Sequence, residues 1–207
     1  MTKLFVCDTS GITGEQYDGL LAQASPERKR RAAAYPKRED AVCCLVAEAL
    51  LRYAFPDKNP ENLRRDPGGK PYWEGCHFNL SHSGPWVALA VGEERVGVDV
   101  ECFRESRNVE ALAKRYFTPE EQAFVGSSQG RFLEIWTAKE ARLKWEGTGL
   151  RTKLDGFSVR EDPMGKTWHL PGAVLTLWAG GHPEDWEPVE ICKIVPPLLE
   201  FASLQAM

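Results

Sequence analysis

Residues 86–101 constrain the fold more than any other segment. Trp86 to Gly92 reads as a strongly apolar strand, Glu93-Glu94 as a turn, and Arg95 to Glu101 as a strand that pairs back in a hairpin. The second strand alternates. Val96, Val98 and Val100 share one face; Gly97, Asp99 and Glu101 share the other. Two carboxylates therefore point one way from a strand with an apolar neighbour. Gly97, on their face, leaves space for a ligand to approach. The bland alternative is a solvated strand face.

A helix from Arg131 to Glu146, ended by Gly147 and Gly149, supplies a third carboxylate. Glu140 falls on the line of Leu133, Trp136 and Leu143, the expected buried stripe, where an unpaired carboxylate is costly. Lys144 lies one turn on along the same face; as a surface ion pair with Glu140 it would contribute only about 0.2–0.5 kcal/mol. Carboxylates without His or thiolate partners suit Mg²⁺ or Mn²⁺ rather than Zn²⁺, and a substrate pyrophosphate is the natural remaining ligand. Lys139 and Lys144 are then either plain helix surface or the cations that neutralise phosphate charge in a transition state.

The rest of the chain predicts strands and helices in alternating blocks. Lys3 to Cys7 is a strand. Ser25-Pro26-Glu27-Arg28 opens a helix with Ser at the N-cap and Pro at the first position. Its run Arg28 to Arg31 is a solvated face or a phosphate-monoester clamp. A helix over 37–54 follows, with Ala41, Leu45, Ala49 and Tyr53 in line. A polar loop over 56–69 delivers Lys70-Pro71, with two glycines letting its backbone come close to an anion. A short strand at 78–80 leads into a turn, Ser81-His82-Ser83, whose His82 is either structural or a phosphate donor. Helices are expected from 108 to 115 and from Thr118-Pro119-Glu120-Glu121, a capping box. Strands are expected at 153–160, 166–170, 173–178 and 188–195, with a short apolar tail after Pro196-Pro197. Helices followed by strands occur twice, which predicts two α/β halves, 1–105 and 106–207, although no sequence repeat is visible.

Composition sets limits. A net charge of −4 over 207 residues argues against bulk attraction to nucleic acid or acidic lipid. Six cysteines without a C-x-x-C pair exclude zinc-ribbon spacing. The N-terminus has no signal layout and no apolar run approaches the roughly 18 residues of a membrane span. The expectation is a cytoplasmic protein with reduced thiols and no membrane partner.

Taken in order, Ser25-Pro26-Glu27-Arg28 through Arg38-Glu39-Asp40-Ala41, Gly69-Lys70-Pro71, Asn79-Leu80-Ser81-His82-Ser83, Gly97-Val98-Asp99-Val100-Glu101, Arg115-Tyr116-Phe117-Thr118 and Trp136-Thr137-Ala138-Lys139-Glu140 to Lys144 resemble the 4′-phosphopantetheinyl transferases of the Sfp type. The resemblance covers residues 25–150. It implies an α+β fold, a pseudo-two-fold pair of similar α/β subdomains in one chain with the active site in the cleft between them, sufficient as a monomer. It implies transfer of the phosphopantetheine arm of coenzyme A to a serine of an apo-acyl or peptidyl carrier protein, releasing adenosine 3′,5′-bisphosphate. Asp99, Glu101 and Glu140 match the family's Mg²⁺ ligands. Lys139 and Lys144 match its phosphate-facing lysines. Lys70, Pro71, Ser81 and His82 match coenzyme A contacts, and Arg28 and Arg31 match basic positions for the 3′-phosphate. Family members often carry a basic or His residue after the Asp-Ala of the second helix; here Val42, Cys43 and Cys44 follow, and Arg38 is the residue that compensates. In the implied mechanism the carrier serine attacks the β-phosphate. Glu140 takes its proton with Lys144 assisting, and His82, Lys139 and Lys70 stabilise phosphate charge. Two other readings stay open on the residues alone: a non-catalytic coenzyme A or carrier-binding module, and a Mg²⁺-dependent phosphohydrolase.

Overall fold

The computed structural model describes residues 2–66, 69–148, 152–160, 162–181, 186, 190–195 and 198–203, the last two stretches as strand backbone only. Its first block of elements is a strand, β1 (Lys3–Asp8), two short helices, α1 (Gly14–Gln23) and α2 (Pro26–Ala33), a long helix, α3 (Arg38–Ala54), a two-residue ladder of β2 (Arg64–Arg65) on β3 (Pro71–Tyr72), and a hairpin, β4 (His77–Ser83) and β5 (Trp86–Gly92). The second block repeats that order: β6 (Val96–Cys102), α4 (Val109–Tyr116), α5 (Pro119–Val125), α6 (Gln129–Glu146), β7 (Gly165–Leu170) and β8 (Ala173–Ala179). Finally β9 (Glu190–Val195) and β10 (Leu198–Ser203) pair with each other, and β9 runs parallel to β1. One sheet has the order β10-β9-β1-β5-β4 and the other β6-β8-β7, so in each block the first strand pairs with the last.

The alternation in β6 is realised as layers. Val96, Val98 and Val100 join Leu4, Val6, Trp86, Ala88 and Ala90 of the first sheet and Leu175 and Leu177 of β8 in a core between the two sheets. The outer face of the first sheet, Phe5, Cys7, Val87 and Leu89, packs on Val42, Val46, Leu50 and Leu51 of α3. The outer face of the second, Val174 and Trp178, packs on Phe132, Leu133, Ala138 and Ala141 of α6. Two sheets are thus sandwiched between two helical layers, each face burying the residues its period places there.

Several expectations are corrected by this arrangement. The turn after β5 leads out of the sheet, so β6 does not pair back on β5 but runs antiparallel to β8, with Asp99 opposite Thr176. Sheet membership therefore crosses the boundary expected at 105: β6 lies in the second sheet, and β9 and β10 return to the first. Of the tail after 197, residues 198–203 form strand β10, and the remainder lies outside the described residues. β4 continues through Ser83, placing Ser81 and His82 in a strand; the turn is the two-residue Gly84-Pro85, with Gly84 at φ +52°, which a first turn position in a tight hairpin requires. The segment 153–160 forms a short 3₁₀ turn (Leu154–Gly156) and irregular chain, because the carbonyls of Leu154 and Phe157 are taken by a lysine. Helix α1 escaped the pattern reading: none of its residues is buried, so it shows little apolar periodicity. Its Thr13–Gln16 capping box was the available signal.

Candidate active site

The two blocks meet where β4 faces β6. Three β4 side chains stand in for a backbone partner: the amides of Val98, Val100 and Cys102 donate to Asn79 Oδ1 (2.9 Å), Ser81 Oγ (3.3 Å) and Ser83 Oγ (3.1 Å). Both strands are sheet edges, and this ladder satisfies the outward amides of β6 without closing the sheets into one. It also sets the carboxylates. Ser81 donates to Asp99 Oδ1 at 2.9 Å and Ser83 to Glu101 Oε2 at 3.4 Å.

Helix α6 crosses β6 on the carboxylate face. A Cβ on Gly97 would lie 1.9 Å from the Ala141 carbonyl oxygen and 2.6 Å from the Trp145 nitrogen, so the glycine admits the helix backbone, not a ligand. That close approach brings Lys144 onto Asp99: its ammonium donates to Asp99 Oδ1 (2.7 Å), Val98 O (2.9 Å) and Ser81 Oγ (3.1 Å). Asp99 is 7% exposed, and its second oxygen, Oδ2, is buried with no partner. Glu101 Oε2 accepts from Arg107 (3.0 Å), with Arg104 at 3.8 Å. Glu140 is half-buried one turn before Lys144 and has no hydrogen-bond partner among the described residues.

The electrostatics describe one cluster. Desolvation pushes Glu140 above the usual carboxylate range, Asp99 and Glu101 push it further, and Lys144 opposes them. Desolvation likewise raises Asp99, against Lys144 and Ser81, with Glu101 adding to the rise. Asp99 and Glu101 thus both act on Glu140, beside a buried Asp99 oxygen without a donor, an arrangement a cation would relieve. The donor set is all oxygen, as a hard cation requires. Among the described residues no three acidic, His or Cys side chains are already gathered at ligand distances around one point.

The other expected site residues divide. Lys70 reaches across from the first block to the Lys144 carbonyl at 3.1 Å; desolvation lowers its ammonium, Asp66 opposing and Arg95 and Lys144 adding to the fall. Pro71 lies beside it in β3, opposite Arg65. His82 projects from β4 at the surface of the same region. Desolvation lowers its imidazole; Asp40 and Asp99 act to raise it, and Lys144 and Arg31 to lower it, so Arg31 belongs to this neighbourhood. Arg38 stands apart: it donates to the Thr13 carbonyl (3.3 Å) and covers the Tyr17 ring of α1.

Two residues expected at phosphates are internal. Arg28 is buried and pairs with Glu48 of α3 at 3.3 Å, while Ser25, the N-cap of α2, donates its amide and hydroxyl to Glu48, each at 2.7 Å. Lys139 is fully buried and pairs with Glu121 of α5 at 2.8 Å, also donating to Leu154 O (2.7 Å) and Phe157 O. These are counterparts. Ser25-Pro26-Glu27-Arg28 and Thr118-Pro119-Glu120-Glu121 cap the second short helix of their blocks, and the fourth residue of each pairs with the long helix, with the charges exchanged. Lys139 lies on the line of Phe132 and Ile135, both buried, a helical spacing that marks it as internal. The reading from sequence also missed Asn79, Ser83 and Arg107. The first two were signalled by polar residues at every second position, 79, 81 and 83, on one strand.

Carboxylates, and lysines from both blocks, thus converge at one seam. Residues 95–185 match the model of the 4′-phosphopantetheinyl transferase superfamily. A 4′-phosphopantetheinyl transferase of Bacillus subtilis is 32% identical over 162 residues, 72% of this chain and 71% of the relative. The transferase Sfp of Bacillus subtilis is 30% identical over the same shares, and the transferase gsp of Aneurinibacillus migulanus is 30% identical over 167 residues, 75% of this chain and 70% of its own. The chain belongs to the 4′-phosphopantetheinyl transferases of the Sfp type. No helix among the described residues is long and apolar enough to cross a membrane.

Proposed function

We propose that the seam between β4, β6 and α6 is the site at which the phosphopantetheine arm of coenzyme A passes to a serine of an apo-carrier protein. The observation that carries this reading is the unpartnered, buried Asp99 Oδ2 beside Glu101 and Glu140. Asp99, Glu101 and Glu140 would hold Mg²⁺ or Mn²⁺, and the ion would supply charge neutralisation at the pyrophosphate. The repeated order of elements, 3–92 and 96–179, supports reading the chain as a pseudo-two-fold pair of subdomains with the site between them.

The chain's own residues then have distinct tasks. Glu140, lifted above the ordinary carboxylate range and free of hydrogen bonds, takes the proton of the carrier serine. Lys144 holds Asp99 in place with all three of its protons engaged, so it reaches a phosphate only by exchanging one of those bonds. His82, Arg31 and Lys70 are the groups at the rim that meet coenzyme A phosphates. Lys139 and Arg28 act from inside, fixing the helices that carry Glu140 and Arg31. The exposed basic residues Lys114 and Arg115 on α4 face an acidic carrier.

The test is incubation with coenzyme A, Mg²⁺ and an apo-carrier, followed by intact-mass analysis. A carrier heavier by one phosphopantetheine arm is expected. Coenzyme A breakdown without carrier would instead indicate a phosphohydrolase, and loss of neither molecule a binding module.

A further inference from the structure

Asp99 and Glu101 are held by the same device. Each has one oxygen tied to a β4 hydroxyl and a cation: Oδ1 of Asp99 to Ser81 and Lys144, Oε2 of Glu101 to Ser83 and Arg107. Among the described residues all of Glu101's hydrogen-bond and ion-pair partners meet Oε2, leaving Oε1, as Oδ2 is left on Asp99. Arg107 is well placed to enforce this. Its side chain is 12% exposed, its guanidinium carbon lies 5.7 Å from the centre of the buried Phe132 ring of α6, and its amide is tied to the Arg104 carbonyl at 3.1 Å. A guanidinium so enclosed cannot follow Glu101 if the carboxylate turns.

We propose that Arg107 is a positioning residue that restricts Glu101 to one metal-facing oxygen and thereby makes the site select a small octahedral cation over Ca²⁺. This rests on the reading of the carboxylates as a cation site. Ca²⁺ takes six to eight oxygens and favours two-oxygen binding by carboxylates, whereas Mg²⁺ takes an octahedron of single oxygens. Tying the second oxygen of two carboxylates removes the donors Ca²⁺ needs. Without Arg107, Glu101 offers both oxygens and that discrimination relaxes.

The probe is Mn²⁺, followed by its solution electron paramagnetic resonance signal, with and without coenzyme A, and displaced by Mg²⁺ or Ca²⁺. Wild-type protein is expected to release Mn²⁺ to Mg²⁺ at concentrations about tenfold below those of Ca²⁺. In Arg107→Leu, which keeps the contact with Phe132, that ratio falls by about tenfold, the scale on which partners of metal ligands act. Arg107→Lys recovers part of it. A folded Arg107→Leu protein with the wild-type ratio overturns the proposal. So does wild-type protein that yields Mn²⁺ equally to both ions, a result needing no variant. Wild-type protein that retains no Mn²⁺ in either condition overturns the cation reading, and this proposal with it.

Discussion

The pairing of Lys139 with Glu121 can be tested by Lys139→Met, which keeps the volume and removes the charge. Both side chains are fully buried at 2.8 Å. Glu121 would keep its amide donors, Thr118 and Val159, each at 3.0 Å, but lose its cation. Leu154 O and Phe157 O would lose their donor. A buried charge left without its partner costs about 3–5 kcal/mol. With a urea slope of about 2 kcal/mol per molar, the unfolding midpoint should fall by about 2 M. In a chain of this size the melting temperature should fall by about 10 °C. Adding Glu121→Gln removes the stranded charge and should restore at least half of the loss. Urea titration followed by circular dichroism reads all three proteins, with the Michaelis constant for coenzyme A measured beside it. A Lys139→Met protein of wild-type stability whose Michaelis constant for coenzyme A rises about tenfold would refute the reasoning and return Lys139 to the substrate phosphates.

Gly97→Ala should be close to unfolded, or inactive with a greatly lowered melting temperature, because its methyl would need the space of α6 backbone at 1.9 Å. Asn79→Ala leaves the Val98 amide without its acceptor and should cost about 1–3 kcal/mol in a denaturation series, while loosening the seam enough to raise hydrogen exchange along β6. Glu48 is subject to desolvation that would raise it, but Ser25, Arg28 and Arg52 outweigh this and hold it below the ordinary glutamate value. Its contribution to stability is therefore complete above that ordinary value and is lost as pH falls through the lower folded value; Glu48→Gln should be less stable near neutrality and flatten the acid limb of a stability–pH curve. Glu140→Gln should fold and bind coenzyme A yet lose at least about a hundredfold in transfer rate; full turnover by that variant would end its assignment as base.

Local periodicity settled what local physics controls. The alternation of Val96 to Glu101 sufficed to predict that three valines enter a core and two acids leave it together. The Ser25-Pro26 start and the Thr118–Glu121 capping box located two helix starts, and the line through Leu133, Glu140 and Leu143 put a carboxylate at the edge of a buried face. Period alone does not choose between partners that are equally apolar. β5 and β8 offer β6 similar strands, and only the assembled sandwich, with β4 serines occupying the free edge of β6, decides that β8 is taken. The same holds for charge. Arg28 and Lys139 look like surface cations in one dimension, since a lysine or arginine is buried only where an acid from a distant helix meets it. Glu48 and Glu121 provide that, 20 residues after Arg28 and 18 before Lys139, distances at which no local pattern reports a contact. The site itself was visible as residue types; which oxygen of each carboxylate remains open depends on Ser81 and Ser83 of β4, Lys144 of α6 and Arg107 of the loop after β6 converging, and that is decided by tertiary structure alone.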